Sequence, residues 1–434
     1  MANTTSNQRA TLRDADWRWI RRLFPRDLDA LAKKTEAVTF FRELRSGEVL
    51  LRLLLLWSLG SMGLRSVGAW AERARWGTLT EGALRYRFRR CEAFVFELIA
   101  HALSKWLRVE RSAGLPLRII DATMVAVPGP SGRSFRLHAT YDPALGVMTG
   151  LELTDDSQGE STSRAPLGVR DVLIADRGYG RAEELVALSF RVVFWLIRVY
   201  LPSVPLWNLR GDRLDSRELV RSCAQAGRAI ERAVELRFGG RRVRARLVIA
   251  PLPSEAAERA RDQVRKRAKK KGKKADEQAE LMAGFVTLLT TIDAETASTT
   301  SVLHWYRVRW QIELYFKRCK SLLRLHPVLS ADDDLQRVRL LVSMLVAVVV
   351  DQMNEPAARA RETGARSLWR LTQIHVLDLQ TAVAGDLSIE QKRRRNRVVA
   401  RATRERPRKR HRAHSDASMR RMRDALQSAS QNWR

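Results

Sequence analysis

Three acidic residues of this 434-residue chain stand where a carboxylate needs a partner. In IIDATMV, Asp121 interrupts an apolar stretch of strand character. A buried, unpaired carboxylate is costly, so the position asks for a compensating metal ion or for a backbone N–H that the acid caps. In VLIADRGYG, Asp176 closes an apolar strand just before Gly178. A carboxylate at such a strand end either points into the crevice where ligands of mixed sheets sit or simply shapes the turn. The third stretch, HWYRVRWQIELYFKRCKSLLRLH from His304, reads as one helix. At about 100° per residue, Tyr306, Arg309, Glu313, Lys317 and Lys320 fall in a stripe roughly 80° wide. Trp305, Val308, Ile312, Phe316, Cys319 and Leu323 group on the far side. An acid among cations and a phenol suits a phosphodiester, with the carboxylate on a metal and its neighbours on phosphate oxygens. The other reading is a solvated face on which Glu313 pairs with Lys317 or Lys320.

Taken together, two strand-borne aspartates and one helix-borne glutamate make a ligand set for two hard, oxygen-loving cations. Such a pair activates a water or 3′-hydroxyl and stabilises the departing 3′-oxygen of an in-line displacement. The order Asp, Asp, Glu on strand, strand and helix resembles the RNase H-like catalytic core of DDE transposases. Tyr306, Arg309, Glu313 and Lys320 are similar to the YREK signature of the insertion-sequence-four family, with its Y-x2-R-x3-E-x6-K spacing intact. The resemblance spans residues 115–325. It implies that Asp121, Asp176 and Glu313 bind magnesium or manganese and that Tyr306, Arg309 and Lys320 contact phosphates of the transposon end. Lys317 matches a position that the signature leaves free, so its DNA-binding role rests on helix geometry. Some family members stack a flipped base on a tryptophan of an insertion, a role that falls here to Trp207. The resemblance further implies cut-and-paste transposition of an insertion sequence. The partners it implies are double-stranded DNA, as inverted-repeat ends and as target, and a homodimer assembled on that DNA at the nucleoid of a prokaryotic cytoplasm. Two rivals are an RNase H-like nuclease that cuts without joining, and a non-catalytic DNA-binding regulator derived from a transposase.

The elements that would position these residues are legible as an α/β arrangement. Residues 117–127, 134–141 and 147–154 are β-branched and apolar between Pro/Gly turns, predicting a three-strand meander. A short strand at 172–175, a helix from Arg181 and an apolar run at 191–199 follow. The fold expected is an RNase H-like mixed sheet flanked by helices, with the core in two parts, 115–200 and 285–352. Between them, 201–284 is a basic, mostly β insertion, with a strand at 243–250 and the run RKRAKKKGKKADE from Arg265. Residues 1–114 are expected as an all-helical DNA-binding domain. Within it, a helix at 66–75, a turn at 76–79 and a second helix from Thr80 outline either a helix-turn-helix with Arg85 and Arg89 facing DNA or an ordinary hairpin with a basic face. Residues 353–434 are expected as a helical region ending in a basic tail at 392–410.

Composition agrees with a polyanion as partner. Lys and Arg number 79 against 48 Asp and Glu, a formal charge of +31, yet 45% of residues are hydrophobic. The chain therefore folds around a core while its surface repels itself unless phosphates neutralise it. Cys91, Cys223 and Cys319 share no metal-ligand spacing, which argues against a zinc site or disulfide framework. The apolar runs at 49–59 and 340–350 are about half the ~20 residues that span a bilayer, so they read as core helices of a cytoplasmic protein with no membrane partner.

Overall fold

The meander forms as β1 (Leu117–Ala126), β2 (Ser134–Asp142) and β3 (Val147–Asp155), each antiparallel to the next. The computed structural model describes residues 15–60, 62–108, 116–126, 134–323, 332–359, 367–384 and 422, and the basic run at 392–410 lies outside them. β4 (Val172–Ala175) lies parallel to β1, and β5 (Phe194–Arg198) parallel to β4, the helix Ala182–Phe190 linking the last two. β8 (Phe285–Thr290) is antiparallel to β5; β7 (Arg241–Pro251) and then β6 (Ile230–Phe238) continue the sheet. The order β3-β2-β1-β4-β5-β8-β7-β6 is one mixed sheet with helices on its faces, consistent with an RNase H-like core.

The insertion differs from the expected mostly β segment. Its helices Ser216–Ala226, Ser254–Lys270 and Glu277–Ala283 hold more residues than β6 and β7, and those strands extend the central sheet. The helix Ser254–Lys270 buries only Ala257, so its sequence lacks the apolar stripe by which a helix is recognised. The run from Arg265 forms the end of this helix and the turn after it.

Period-two alternation sends β1 and β4 residues to two different cores. Ile119, Val125 and Ile174 join the core shared with the helices before β1 and after β8, whereas Ile120, Leu173 and Ala175 join the core on the insertion side. The first core draws on residues from Trp17 to Val383 and on Met422. At its centre the Gly47–Gly60 helix, buried without interruption from Leu50 to Leu59, packs on the helices Asp333–Arg359 and Leu368–Ala384. The Asp333–Arg359 helix runs through position 352, so one element joins the sheet to the last helical segment. Among the described residues no helix is long and apolar enough to cross a membrane.

The helical pair before the sheet spans Leu64–Arg73 and Glu81–Arg89, the second helix capped by Thr80, whose Oγ1 accepts from the Ala83 N–H at 3.2 Å. The two helices meet at Gly68, where an added Cβ would lie 2.3 Å from the Leu79 carbonyl oxygen. Because that neighbour is backbone, Gly68→Ala is expected to lower unfolding stability by about 1–3 kcal/mol. A chemical-denaturation midpoint unchanged from the parent would contradict this close approach.

Candidate active site

Parity and register bring the two aspartates together. β1 and β4 pair Leu117 with Val172 and Ile119 with Ile174, and the same register carried two residues further brings Asp121 level with Asp176. Both share the parity of Ile119 and Ile174 and so face the core that contains Trp305, Val308, Ile312 and Phe316. That layer is the segment carrying Glu313.

This segment departs from the single helix expected. An α-helix Thr299–Tyr306 is followed by a 3₁₀ turn, Arg307–Arg309, and then by the α-helix Trp310–Leu322. In a 3₁₀ turn residues three apart eclipse, which sets Arg309 beside Tyr306, its guanidinium carbon 5.9 Å from the ring centroid. The apolar side is as the spacing predicts, with Trp305, Val308, Ile312, Phe316, Cys319 and Leu323 all buried.

On the polar side, three hydrogen bonds tie the segment to β1 and to the end of β4, and a fourth joins two of its own residues. Arg309 Nη1 donates to Asp121 Oδ2 at 3.4 Å and its Nη2 to Glu313 Oε1 at 2.5 Å, so one guanidinium bridges two of the three carboxylates. Tyr306 donates its hydroxyl hydrogen to Asp176 Oδ1 at 3.0 Å. Lys320 Nζ donates to Thr123 Oγ1 at 2.6 Å, one β1 side-chain step beyond Asp121. Glu313 thus pairs with Arg309 and not with Lys317 or Lys320, while Asp121 also accepts from the Ala122 N–H at 2.9 Å. Burial pushes the Asp121 carboxyl up to about 6; the Ala122 amide and Arg309 oppose the rise, while Glu160 and Asp176 add to it. Burial and the Asp176 charge likewise hold the Tyr306 phenol above its usual range, so it stays a donor.

Residues 112–349, more than half of the chain, match the family described as the transposase DDE domain. The chain belongs to the DDE transposase family. It is 32% identical to the transposase InsL of insertion sequence element IS186A from Escherichia coli strain K12, over 340 residues that cover 77% of this chain and 92% of the relative. It is also 32% identical to the transposase of insertion sequence element IS421 from Escherichia coli, with the same coverage.

DDE transposases act on DNA and use divalent ions, and the residues of this DDE transposase fit such an ion. The donors are all carboxylate oxygens, and the cation among them is Arg309. Among the described residues no three acids, histidines or cysteines lie close enough to share one ion. Arg309, bonded to both Asp121 and Glu313, holds the positive charge between these two acids.

Other expected site residues lie apart from this cluster. Lys317 is exposed on the Trp310–Leu322 helix and bonds to none of the described residues. Arg85 pairs with Glu81, and Arg89 with Asp332 and Asp334. Trp207 is half-buried in the insertion, bridged to Arg213 and Glu235, with Arg237 over its ring at 5.1 Å. Sequence reasoning missed two neighbours. Trp310, 62% exposed, follows Arg309 directly and lies on the polar side of the helix beside Lys317, a placement that the helical spacing already offered. Glu160, from the loop after β3, reaches back so that a Cβ on Gly178 would lie 1.5 Å from its Oε2. Gly178 in DRGY therefore makes room for a fourth carboxylate beside Asp176, a contact that no local motif announces.

Proposed function

We propose that this DDE transposase moves an insertion sequence by cut-and-paste transposition, with Asp121, Asp176 and Glu313 holding two divalent cations, magnesium or manganese. The observation that carries the reading is the meeting of all three acids at Tyr306 and Arg309, from two strands and a helix far apart in sequence. The names of the relatives, transposases of insertion sequence elements, support the choice of substrate. When bound, such cations activate the attacking oxygen and stabilise the leaving one. Arg309 then exchanges its carboxylates for a DNA phosphate, and Tyr306 holds Asp176 in place. Lys320 and Lys317, with Arg85 and Arg89 on the N-terminal helices, add phosphate contacts that orient the transposon end without reading its sequence. The Y-x2-R-x3-E-x6-K spacing from Tyr306 to Lys320 supports membership of the YREK branch. For a flipped base, Trp310 has the exposed face beside Glu313, whereas Arg237 already covers one face of Trp207. Paired cutting needs two ends, so the working unit is a homodimer on DNA, acting at the nucleoid of the prokaryotic cytoplasm.

The pH dependence follows from Asp121. With its acidity at about 6, a cation must displace a proton below that pH and meets an ionised carboxylate above it. The half-saturating magnesium concentration is expected to rise up to about tenfold per pH unit below 6 and to level off above it. A flat magnesium requirement from pH 5 to 7.5 would contradict this role for Asp121.

Incubating purified protein with magnesium, a pre-cleaved transposon end and a target plasmid tests the whole reading. Joined product is expected. Cleavage without joining would favour the nuclease, and DNA binding without either reaction would favour the regulator.

A further inference from the structure

The side chains of the second N-terminal helix that face solvent are not equivalent. Arg85 and Arg89 are engaged by Glu81, Asp332 and Asp334, while Leu84 and Phe88 are buried. Next to them an open cleft separates this helix from the segment 36–42, lined by Glu36, Phe40, Arg42, Tyr86, Arg87 and Arg90. The segment is held by buried Ala37 and Val38 and turns at Glu36, whose φ is +58°. This turn leaves Phe40 69% exposed, opposite Tyr86 at 63%. The Tyr86 ring is held in place: Arg90 donates to its hydroxyl at 2.7 Å and lies 5.5 Å from the ring centroid.

We infer that this cleft is a contact surface for duplex DNA at the transposon end, with Arg42, Arg87 and Arg90 on phosphates and Phe40 and Tyr86 against a base step. The charge decides the partner. Three guanidiniums face one carboxylate, Glu36, and Arg42 and Arg87 form no ion pair with any described residue. A second copy of the chain would set these arginines against their own counterparts across a two-fold axis, which repels. Two exposed rings among guanidiniums suit a nucleic acid, which offers π-faces and phosphates together. The inference rests on the transposase reading above and adds a base contact, in the cleft beside Arg85 and Arg89, to the phosphate contacts proposed there.

Fluorescence anisotropy over a range of salt concentrations, with a labelled duplex cut from the edge of the protein's own element and a scrambled duplex, tests it. The double variant F40A/Y86A is expected to bind the end duplex about tenfold more weakly with an unchanged salt slope, and the scrambled duplex, which lacks the deformable step that the rings wedge, with little change. The double variant R42A/R87A is expected to lower the slope of log affinity against log salt by about 2 on both duplexes. If the unaltered protein joins pre-cut ends while both double variants bind as it does, the cleft is not the contact surface and the transposase reading stands. If the unaltered protein neither joins ends nor prefers the end duplex, that reading falls and takes the inference with it.

Discussion

Asp121→Asn and Glu313→Gln are each expected to slow DNA strand cleavage by about 10³-fold while leaving DNA affinity within about threefold of the parent. The amides keep the size and most hydrogen-bonding capacity of the acids but cannot supply the charge that a divalent ion requires. Asp121 also separates a catalytic from a structural role by the sign of its effect on stability. Its acidity in the fold lies at about 6, above the 3.8 of a free side chain, so the ionised form is disfavoured by folding. Its contribution therefore falls as pH rises from about 4 to 6 and stays unfavourable above that. Asp121→Asn removes a buried charge, and at pH 7.5 its melting temperature is expected to equal or exceed that of the parent. A structural aspartate would give the opposite pair of results, a destabilised protein with activity lost only in proportion to the fold. Comparing a melting curve with a cleavage rate on the same preparation separates the two.

Asp351→Ala is expected to destabilise the fold by about 3–5 kcal/mol, read from urea unfolding. Asp351 is 4% exposed on the Asp333–Arg359 helix. It accepts from the Tyr315 hydroxyl at 2.8 Å and from the Met148 N–H at 3.2 Å, and it lies in the field of the buried Arg318 guanidinium. Alanine would strand two donors and a cation in the core at once. Tyr315 and Arg318 belong to the helix that carries Glu313, so this cluster ties the acid-bearing helix to β3 and to the long helix behind it. Asp351→Asn keeps the two hydrogen bonds and, because burial already pushes Asp351 up to about 6, is expected to cost clearly less than alanine. A loss below about 1 kcal/mol for alanine would mean that the cluster does not anchor the helix.

Much of the site was readable before any coordinates, because its residues break simple patterns. An aspartate inside IIDATMV and another at the end of VLIA stand out against apolar strands, whereas the parallel register that aligns them is a feature of the fold alone. Glu313 was legible from the helical stripe, whose apolar partner side is buried as expected. The 3₁₀ turn at Arg307–Arg309 was not, since neither glycine nor proline marks it. Tyr306, just before it, and Arg309, its last residue, bond to Asp176 and Asp121, more than a hundred residues away, which no local pattern announces. Glu160 escaped for the same reason, as it enters the site from a loop. In the insertion, β6 reads IERAVELRF, and its charged residues obscured a strand whose buried members are Val234, Glu235 and Leu236. The two helices near Lys270 lacked an apolar stripe because they pack largely on each other at the surface.

The central claim is that Asp121, Asp176 and Glu313 close around divalent cations when Arg309 leaves them for phosphate. Crystals of the protein with a transposon-end duplex and manganese, measured at the manganese absorption edge, address it most directly. Anomalous peaks are expected against the carboxylates of all three residues, with the Arg309 guanidinium on the DNA backbone. Peaks found only elsewhere, with Arg309 still bridging Asp121 and Glu313 in the presence of DNA, would contradict it.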